Sequence, residues 1–268
     1  MEENTALCVL GLLLIGFLAG LSTYKSILEI ARLDVVPRHG SSGKAQNSPR
    51  MHTAKTFPRT DGLIADFKTG GGGPPRNAFN EVFNLLTDNE WNGTSKCWYQ
   101  LKEETKNGSY NGNKYLRFFY QLEPREIPGG ESYVGLFTDF SPPPPNVFDI
   151  SQFEGVSFRL RLDQPTDPDG FAISISLAST NNSAIPGYYD YPGKAIEPYF
   201  ISKAFPDWVD VSIPFKDFCA PPFSSRNVTL DTTQVFRLII SIVKSTKNTI
   251  FGHIDIDDLR FYRPASKS

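Results

Sequence analysis

Residues 155–162 read Gly-Val-Ser-Phe-Arg-Leu-Arg-Leu, and apolar and polar side chains alternate strictly from Val156 to Leu162. Successive side chains of a β-strand lie on opposite faces, so this alternation predicts an antiparallel strand with one buried and one polar face. Residues 254–259, Ile-Asp-Ile-Asp-Asp-Leu, show the same pattern before it breaks at Asp258. The two segments indicate a sheet with an apolar inner face.

Short apolar or alternating segments recur from residue 63 onward, separated by segments rich in Gly, Pro, Asn and Asp. The clearest are Leu63–Phe67, Cys97–Leu101, Tyr115–Leu122, Tyr133–Phe137, Gly155–Leu162, Phe171–Leu177, Trp208–Pro214, Phe236–Val243 and Gly252–Tyr262. No long amphipathic helical pattern lies between them, although residues 80–87 could form a short helix or a loop. We therefore predict an all-β fold, a two-sheet antiparallel β-sandwich (jelly roll) over residues 63–263, followed by a tail at 264–268.

The N-terminal segment has a different character. Residues 5–24 contain no charged side chain, and 20 apolar residues are the length that a helix needs to cross a bilayer. A cleavable signal peptide would carry Lys or Arg before this segment, where the charged residues are Glu2 and Glu3. We therefore predict one transmembrane α-helix, with small residues at Gly11, Gly16 and Gly20 available for helix packing within the membrane.

The segments that follow this helix complete the predicted organisation. Residues 1–36 are interpreted as the anchor with an amphipathic extension, and residues 37–62 as a polar linker. Lys25, Arg32 and Arg38 follow the apolar segment, which favours a cytoplasmic position for the soluble domain. Because large domains can cross a membrane against this bias, the side remains open.

Composition narrows the function classes. The net charge of −2 and the absence of a basic cluster argue against nucleic acid as a partner. The three histidines, His39, His52 and His253, do not lie in a metal-binding or catalytic motif, and no nucleophile elbow or phosphate loop occurs, so we predict a protein that is not an enzyme. Cys97 and Cys219 could pair only in an oxidising compartment.

Several phrases, taken in order, resemble the galactose-binding-like jelly rolls of family 11 carbohydrate-binding modules and of the complex I intermediate-associated protein 30 family. They are Ile64–Phe67, Asp88 with Gly93–Ser95, Gly129–Leu136, Phe148–Phe158, Trp208–Phe218 and Ile254–Tyr262. Phe148–Phe158 resembles the family phrase most, and the resemblance spans residues 63–262. It implies a jelly roll, which can serve unrelated functions.

The same resemblance implies a candidate metal site. Carbohydrate-binding jelly rolls hold a structural calcium between their first and last strands, and Asp66 and Asp257 match those positions. The alternative interpretation places Asp255, Asp257 and Asp258 on a solvated strand face or end. No other cofactor is expected.

Aromatic residues supply the candidate contact site. Tyr188, Tyr189 and Tyr191 lie in one loop, and Trp91 and Trp98 flank a turn. Such rings could stack on a sugar or anchor a protein partner, so Trp91 and the three tyrosines are the candidate ligand or partner contacts. Trp98 and Trp208 also lie in strand-like alternation, which is typical of core packing.

Two functions are consistent with these features. The main hypothesis is a non-catalytic accessory or assembly subunit of a respiratory or photosynthetic membrane complex, bound through the N-terminal helix and linker, with the sandwich as an interaction module. The alternative is a membrane-anchored carbohydrate-binding protein. Both describe a single-pass membrane protein.

Overall fold

The computed structural model describes the part of the chain that follows the predicted anchor. The described residues are 54–68, 73–91, 93–106, 109–124, 132–142, 146–162, 172–179, 193–195, 204, 206–219, 230–244 and 247–263. The predicted transmembrane helix, with Gly11, Gly16 and Gly20, lies outside them. Within the described part of the chain, no helix has the length and apolar character that a membrane span requires.

The described residues form strands and two short 3-10 helices, at Asp88–Trp91 and Phe215–Asp217. The strands are β1 (Lys55–Thr56), β2 (Leu63–Ala65), β3 (Asn84–Thr87), β4 (Lys96–Lys106), β5 (Ser109–Leu122), β6 (Ser132–Asp139), β7 (Phe148–Asp149), β8 (Gly155–Leu162), β9 (Ala172–Ser179), β10 (Gly193–Ala195), β11 (Val209–Pro214), β12 (Val235–Lys244) and β13 (Ile250–Tyr262). The prediction of an all-β sandwich is confirmed. Residues 84–87, expected in a helix or loop, form strand β3.

The strands form two sheets. Sheet A runs β1-β7-β12-β6-β3, with β9 also paired to β12 and β10 paired to β9. Sheet B runs β11-β8-β13-β5-β4, with β2 paired to the end of β13. All these pairs are antiparallel except β1 with β7, which is parallel. The second strand, β2, and the last strand, β13, therefore meet in sheet B.

The core lies between the two sheets and follows the alternation seen in the sequence. In sheet B the inner positions of β8 and β13 are buried at Phe158, Leu160, Ile254 and Ile256. Burying an aliphatic or aromatic side chain of this size stabilises the fold by about 1.5–3 kcal/mol. Because the side chains of each strand alternate, the residues between these positions form the outer face of sheet B.

Phe57 is an aromatic residue of the core, although its segment resembles a polar linker in sequence. Its side chain is 2% exposed. Its ring lies 5.0 Å from that of Phe261 and 5.7 Å from that of Phe153, in edge-on contacts that are favourable for aromatic pairs. The backbone beside it is fixed because Phe57 N–H donates to the Asp149 carbonyl at 3.2 Å. The ordered sandwich therefore includes residues before position 63.

The turn around Asp88 is formed by one of the sequence segments that carry the family resemblance. The Asp88 carboxylate is fully buried and accepts hydrogen bonds from the Ser95 backbone N–H at 2.9 Å and from the Ser95 hydroxyl at 2.7 Å. A Cβ atom at Gly93 would lie 2.1 Å from the Asp88 carboxyl carbon, so only glycine fits there. This turn connects sheet A to β4, which begins the outer face described next.

Candidate functional site

The outer face of sheet B concentrates aromatic and charged side chains. On β5 the residues Leu116, Phe118 and Leu122 are buried in the core. Phe119 and Arg117 alternate with them and therefore lie on the opposite side of the strand. A similar division holds along β4, β8, β11 and β13, so the outer face extends across five strands.

Four rings form what we call the aromatic row, Trp98, Phe119, His253 and Phe251. Strand register places Trp98 opposite Phe119 and Phe119 opposite His253. The Trp98 and Phe119 rings are stacked at 5.1 Å with an interplanar angle of 9°, and the Phe119 and His253 rings are 5.6 Å apart. Trp98 is 46% exposed and Phe251 is 61% exposed. The row thus offers apolar ring surface to solvent on the outer face of sheet B.

A charged cluster lies two residues further along each strand, centred on Asp255. Its carboxylate accepts from Arg117 Nε at 2.7 Å and Nη2 at 2.9 Å, and from Arg161 Nε at 3.0 Å and Nη2 at 2.7 Å. Asp255 is 1% exposed, whereas the side chains of Arg117 and Arg161 are 23% and 24% exposed. One buried carboxylate therefore holds two guanidinium groups at the surface of the sheet.

Aromatic rings fix the orientation of these arginines. The Arg161 guanidinium carbon lies 4.6 Å from the centroid of Trp208 and 5.0 Å from that of Tyr115. The two rings contact each other edge-on at 5.4 Å, and Arg159 also lies over Trp208 at 4.6 Å. Cation–π contacts of this kind stabilise an arginine in a defined plane. The hydrogen-bonding groups of the face are therefore held in place before any ligand arrives.

The acidic side of the cluster lies around Arg159. Its guanidinium contacts Asp257 at 3.2 Å and Glu104 at 3.8 Å. Burial raises the pKa of Asp257 to about 6, although the Arg159 charge opposes that shift. Glu104 also accepts a hydrogen bond from Asn113 at 3.2 Å. Asp257 and Glu104 thus contact a neighbouring guanidinium, whereas Asp210 of the same face, on β11, is exposed.

A groove opens at the edge of sheet B beside β4. It has a volume of about 410 Å³ and is lined by Gly73, Pro75, Tyr99, Gln100, Leu101, Glu103 and Lys114. Gln100 is paired in register with Arg117. Tyr99 and Leu101, however, lie on the inward side of β4, so most of the groove lies on the other side of this edge strand from the charged cluster.

The two tryptophans expected in the core lie elsewhere. Trp98 is exposed on the outer face because Cys97, Tyr99 and Leu101 occupy the inward positions of β4. Trp208 is half-buried on the same outer face, and its indole N–H is buried without a hydrogen-bond acceptor in the described part of the chain. The core-packing interpretation of both residues is therefore wrong.

The other predicted contact residues are not tested by the structure. Tyr188, Tyr189 and Tyr191 lie outside the described residues, as does the side chain of Trp91, whose backbone ends the first 3-10 helix. Cys97 is a free thiol on the inner side of β4, and burial raises its pKa to about 11. Cys219 follows the second 3-10 helix and is exposed.

The candidate calcium ligands have other partners. Asp257 Oδ2 accepts from Arg159 and Oδ1 from the Asp258 backbone N–H at 2.8 Å, while Asp66 Oδ1 accepts from the Lys68 backbone N–H at 3.2 Å. Across the described residues, no group of three or more His, Cys, Asp or Glu side chains is placed to hold a metal ion. Both candidate carboxylates thus already accept hydrogen bonds from other groups, and calcium binding by Asp66 and Asp257 stays a prediction. Asp255 and Asp257 are buried, so the solvated-face interpretation is wrong for both.

Phe119, Phe251 and Arg117 are site residues that the sequence patterns do not indicate, and His253 and Asp255 were expected in other roles. The outward position of Phe119 could have been predicted from the sequence. Phe119 follows Phe118, and one of two adjacent residues in a strand must lie on the outer face. The pairing of Arg117 with Asp255, 138 positions apart, could not be inferred without the register of β5 against β13.

The known proteins that are similar to this chain are solved structures. No protein-family model matches the chain, and no curated protein matches it either. Among solved structures, the chain is similar to a family 11 carbohydrate-binding module from Clostridium thermocellum in complex with a β-1,3-1,4-mixed-linked tetrasaccharide. The two chains are 15% identical, the match covers 75% of this chain and 95% of that chain, and the TM-score is 0.46.

Two further structures show a similar degree of likeness. A family 30 carbohydrate-binding module of a Clostridium thermocellum cellulosomal cellulase has 16% identity, 63% of this chain and 92% of that chain covered, and a TM-score of 0.41. A β-1,2-glucanase from Parabacteroides distasonis is 14% identical, with a TM-score of 0.43. The match covers 76% of this chain and 25% of the glucanase chain. At these values the likeness does not indicate what this chain binds. The resemblance to the complex I intermediate-associated protein 30 family has no support in these comparisons.

Proposed function

We propose that this chain is a non-catalytic carbohydrate-binding protein that holds a polysaccharide on the outer face of sheet B and is anchored to a membrane by residues 5–24. The observation that carries the proposal is the exposed aromatic row beside a fixed hydrogen-bonding cluster. Sugar sites combine apolar ring surface with a few well-placed polar groups. Both elements lie here on one face.

The shape of the row favours a linear ligand. Trp98, Phe119 and His253 lie on three adjacent strands, with successive ring centroids 5.1 and 5.6 Å apart. Neighbouring strands are about 4.8 Å apart, so a chain lying across the sheet meets a new side chain at each strand. Beyond the rings, Arg117 and Gln100, which are paired in register, supply hydrogen-bonding groups.

The carboxylates of the face support a binding role without catalysis. A glycosidase uses one carboxyl group as a general acid and a second as a nucleophile or base, and both must reach the scissile bond. Asp255 is 1% exposed and held by two arginines, and Asp257 and Glu104 both contact Arg159. Carboxylates engaged in this way hold the arginines in place and are poorly placed to attack a sugar.

Trp98→Ala tests the proposal directly. The full-length chain is solubilised in a detergent whose headgroup is not a sugar, and binding to a panel of soluble polysaccharides is measured by isothermal titration calorimetry. Loss of a central aromatic contact should raise the dissociation constant about tenfold or more, which corresponds to a binding free energy weakened by at least ~1.4 kcal/mol. The matched control is Leu85→Ala on sheet A, because Leu85 is 40% exposed and lies on the other sheet.

The outcome separates the hypotheses clearly. Binding that is weakened by Trp98→Ala and unchanged by Leu85→Ala supports the outer face as the site. If the wild-type chain binds none of the polysaccharides, or if both variants behave alike, the proposal is wrong.

The accessory-subunit hypothesis stays a second candidate because of the uncharged segment at residues 5–24. Exposed aromatic rings are also typical of protein–protein contacts. Purification of the full chain in mild detergent would distinguish the two, since a subunit should retain the proteins of its host complex. Labelling of the exposed Cys219 thiol in intact cells with an impermeant reagent would report which side of the membrane the domain occupies.

A further inference from the structure

Strand β4 forms an open edge of sheet B. It is 11 residues long, pairs with β5 and ends the strand order of the sheet. Across the described residues, no backbone hydrogen bond reaches β4 between Lys96 and Glu103 from the side away from β5. Such an edge presents a row of N–H and C=O groups to which another strand can pair. The edge of β4 is therefore a surface to which a second chain can add.

The inner side of β4 leaves apolar surface uncovered. Cys97, Tyr99 and Leu101 lie toward the core but are only partly buried. Tyr99 and Leu101 line the groove beside the strand. On the neighbouring strand β5, by contrast, the inner residues Leu116 and Phe118 are fully buried. A strand added to this edge would cover apolar surface that the described part of the sandwich leaves open.

The outer side of β4 combines an uncovered ring face with two positive charges. Trp98 stacks on Phe119 of β5, so its other ring face is directed away from β5, toward the edge. Lys96 and Lys102 share this outer side, because side chains alternate along the strand. Lysines on an edge strand usually prevent pairing with other chains. A strand that pairs here must therefore place a compatible group opposite each lysine.

The sequence of β4 is complementary to itself in one antiparallel register. Pairing of two copies about a two-fold axis at Gln100 places Lys96 opposite Glu104 of the second copy. In the same register, Trp98 lies opposite Lys102 of the second copy, where the ammonium group can contact the uncovered ring face. Because the arrangement is symmetric, each of these contacts occurs twice.

Neighbouring registers are unfavourable. Centring the pair on Tyr99 places Lys96 opposite Lys102, and like charges directly opposite each other destabilise a strand pair. Centring it on Leu101 places Lys96 opposite Lys106. A register between these centres would bring the outer side chains of one copy to the inner side of the other. In the favoured register, Tyr99 and Leu101 of the two copies face each other on the inner side.

We infer that two copies of this chain form a dimer through antiparallel pairing of their β4 strands about an axis at Gln100. Glu104 then bridges Lys96 of the second copy and Arg159 of its own, which it contacts at 3.8 Å. A carboxylate can accept hydrogen bonds from both groups, since its two oxygens offer about four acceptor positions. The pairing joins the two sheets B, so both aromatic rows lie on one continuous surface.

A cysteine at the proposed axis tests the register in the full-length chain. Cys8→Ser and Cys219→Ser remove two thiols, and Cys97 is kept because burial raises its pKa to about 11. Facing Cα atoms in an antiparallel pair are about 4.5–5.5 Å apart, which suits a disulfide, so most of the Gln100→Cys variant should become a covalent dimer under mild oxidation. Lys102→Cys is the matched control, because its two copies would be about 14 Å apart along the strands.

Lys96→Glu tests the charge complementarity. It places two carboxylates opposite each other at both ends of the strand pair. Sedimentation velocity of the full chain in detergent should show a wild-type dimer and a dissociation constant about tenfold higher for the variant. Lys55→Glu makes the same change in net charge at an exposed position on sheet A and should leave the dissociation constant unchanged. The melting temperatures of both variants show whether the fold is retained.

The results support or refute the inference as follows from the geometry. Disulfide formation by Gln100→Cys but not by Lys102→Cys, with a weaker dimer for Lys96→Glu, supports it. A wild-type chain that stays monomeric refutes it, as does equal cross-linking of the two cysteine variants. A dimer that Lys96→Glu and Lys55→Glu affect alike is held by another surface, and the inference is then wrong. None of these measurements involves a sugar, so the proposed carbohydrate-binding function is tested separately.

Discussion

Asp255→Asn should destabilise the domain far more than the loss of an exposed ion pair does. The Asp255 carboxylate accepts four charge-assisted hydrogen bonds from Arg117 and Arg161 and is 1% exposed. Removing one partner of a buried ion pair costs about 3–5 kcal/mol, because it leaves an uncompensated charge. Both arginines are about one quarter exposed, so water compensates part of this cost, and we expect a loss of about 2–4 kcal/mol.

The chain provides a matched control in Asp258→Asn. Asp258 pairs with Arg260 at 2.8 Å, but the two side chains are 35% and 39% exposed. Exposed pairs contribute about 0–1 kcal/mol. Asp258 has a positive φ of 52°, a conformation that asparagine also tolerates, so the substitution adds no backbone strain.

Urea denaturation followed by tryptophan fluorescence measures both variants, because Trp208 and Trp98 lie on the same sheet as Asp255. We expect the midpoint of the Asp255→Asn variant to fall clearly below that of Asp258→Asn, with similar slopes. Equal midpoints would refute the reasoning, since they would mean that the buried carboxylate is no more important to the fold than an exposed one.

Three further predictions concern the core, the pH response and metal ions. Phe57→Ala should lower the free energy of unfolding by about 3–5 kcal/mol in the same assay, whereas Phe251→Ala, at a 61% exposed position, should lower it little. Similar losses for the two variants would contradict the placement of Phe57 in the core. The Asp257 carboxyl has a pKa of about 6 in the folded state and 3.8 ordinarily, so the folded state binds more protons between these values and its stability falls as pH rises through them. Asp257→Asn should therefore weaken this fall in urea midpoints measured from pH 4 to 7, and an unchanged pH profile would contradict the assignment. Because Arg159 already neutralises Asp257, a calcium chelator should leave the melting temperature unchanged, and a clear decrease would establish a calcium site.

The sequence was sufficient to predict the sandwich because its strands alternate strongly. The segment at 155–162 was predicted with its observed bounds, and its inner residues Phe158 and Leu160 are buried as the pattern requires. Strand β3 was missed because its four residues do not alternate clearly. Phe57 was missed because a single apolar residue in a polar segment gives no periodic signal, although five aromatic rings surround it in the fold.

The binding face was harder to predict for a different reason. Alternation along β4 shows that Trp98 shares a face with Gln100 and Lys102, and those polar neighbours were a sign that this face is solvent-exposed. The ring stack with Phe119 and the pairing of Arg117 with Asp255 depend on strand register, which residues far apart in sequence establish together. Local patterns therefore predict the faces of the sheet, and tertiary contacts decide which residues meet on them.

The second arginine of the cluster links the fold to the proposed function. Arg117 alone gives Asp255 a bidentate partner, and that pair satisfies both carboxylate oxygens. Arg161 donates to the same carboxylate from another strand, so one buried carboxylate orients two guanidinium groups. The Arg161 guanidinium is also fixed by two rings, and its Nη1 atom makes no hydrogen bond to any described residue. Hydrogen-bonding groups fixed in this way are expected where binding energy depends on preorganisation, as it does in the proposed carbohydrate site.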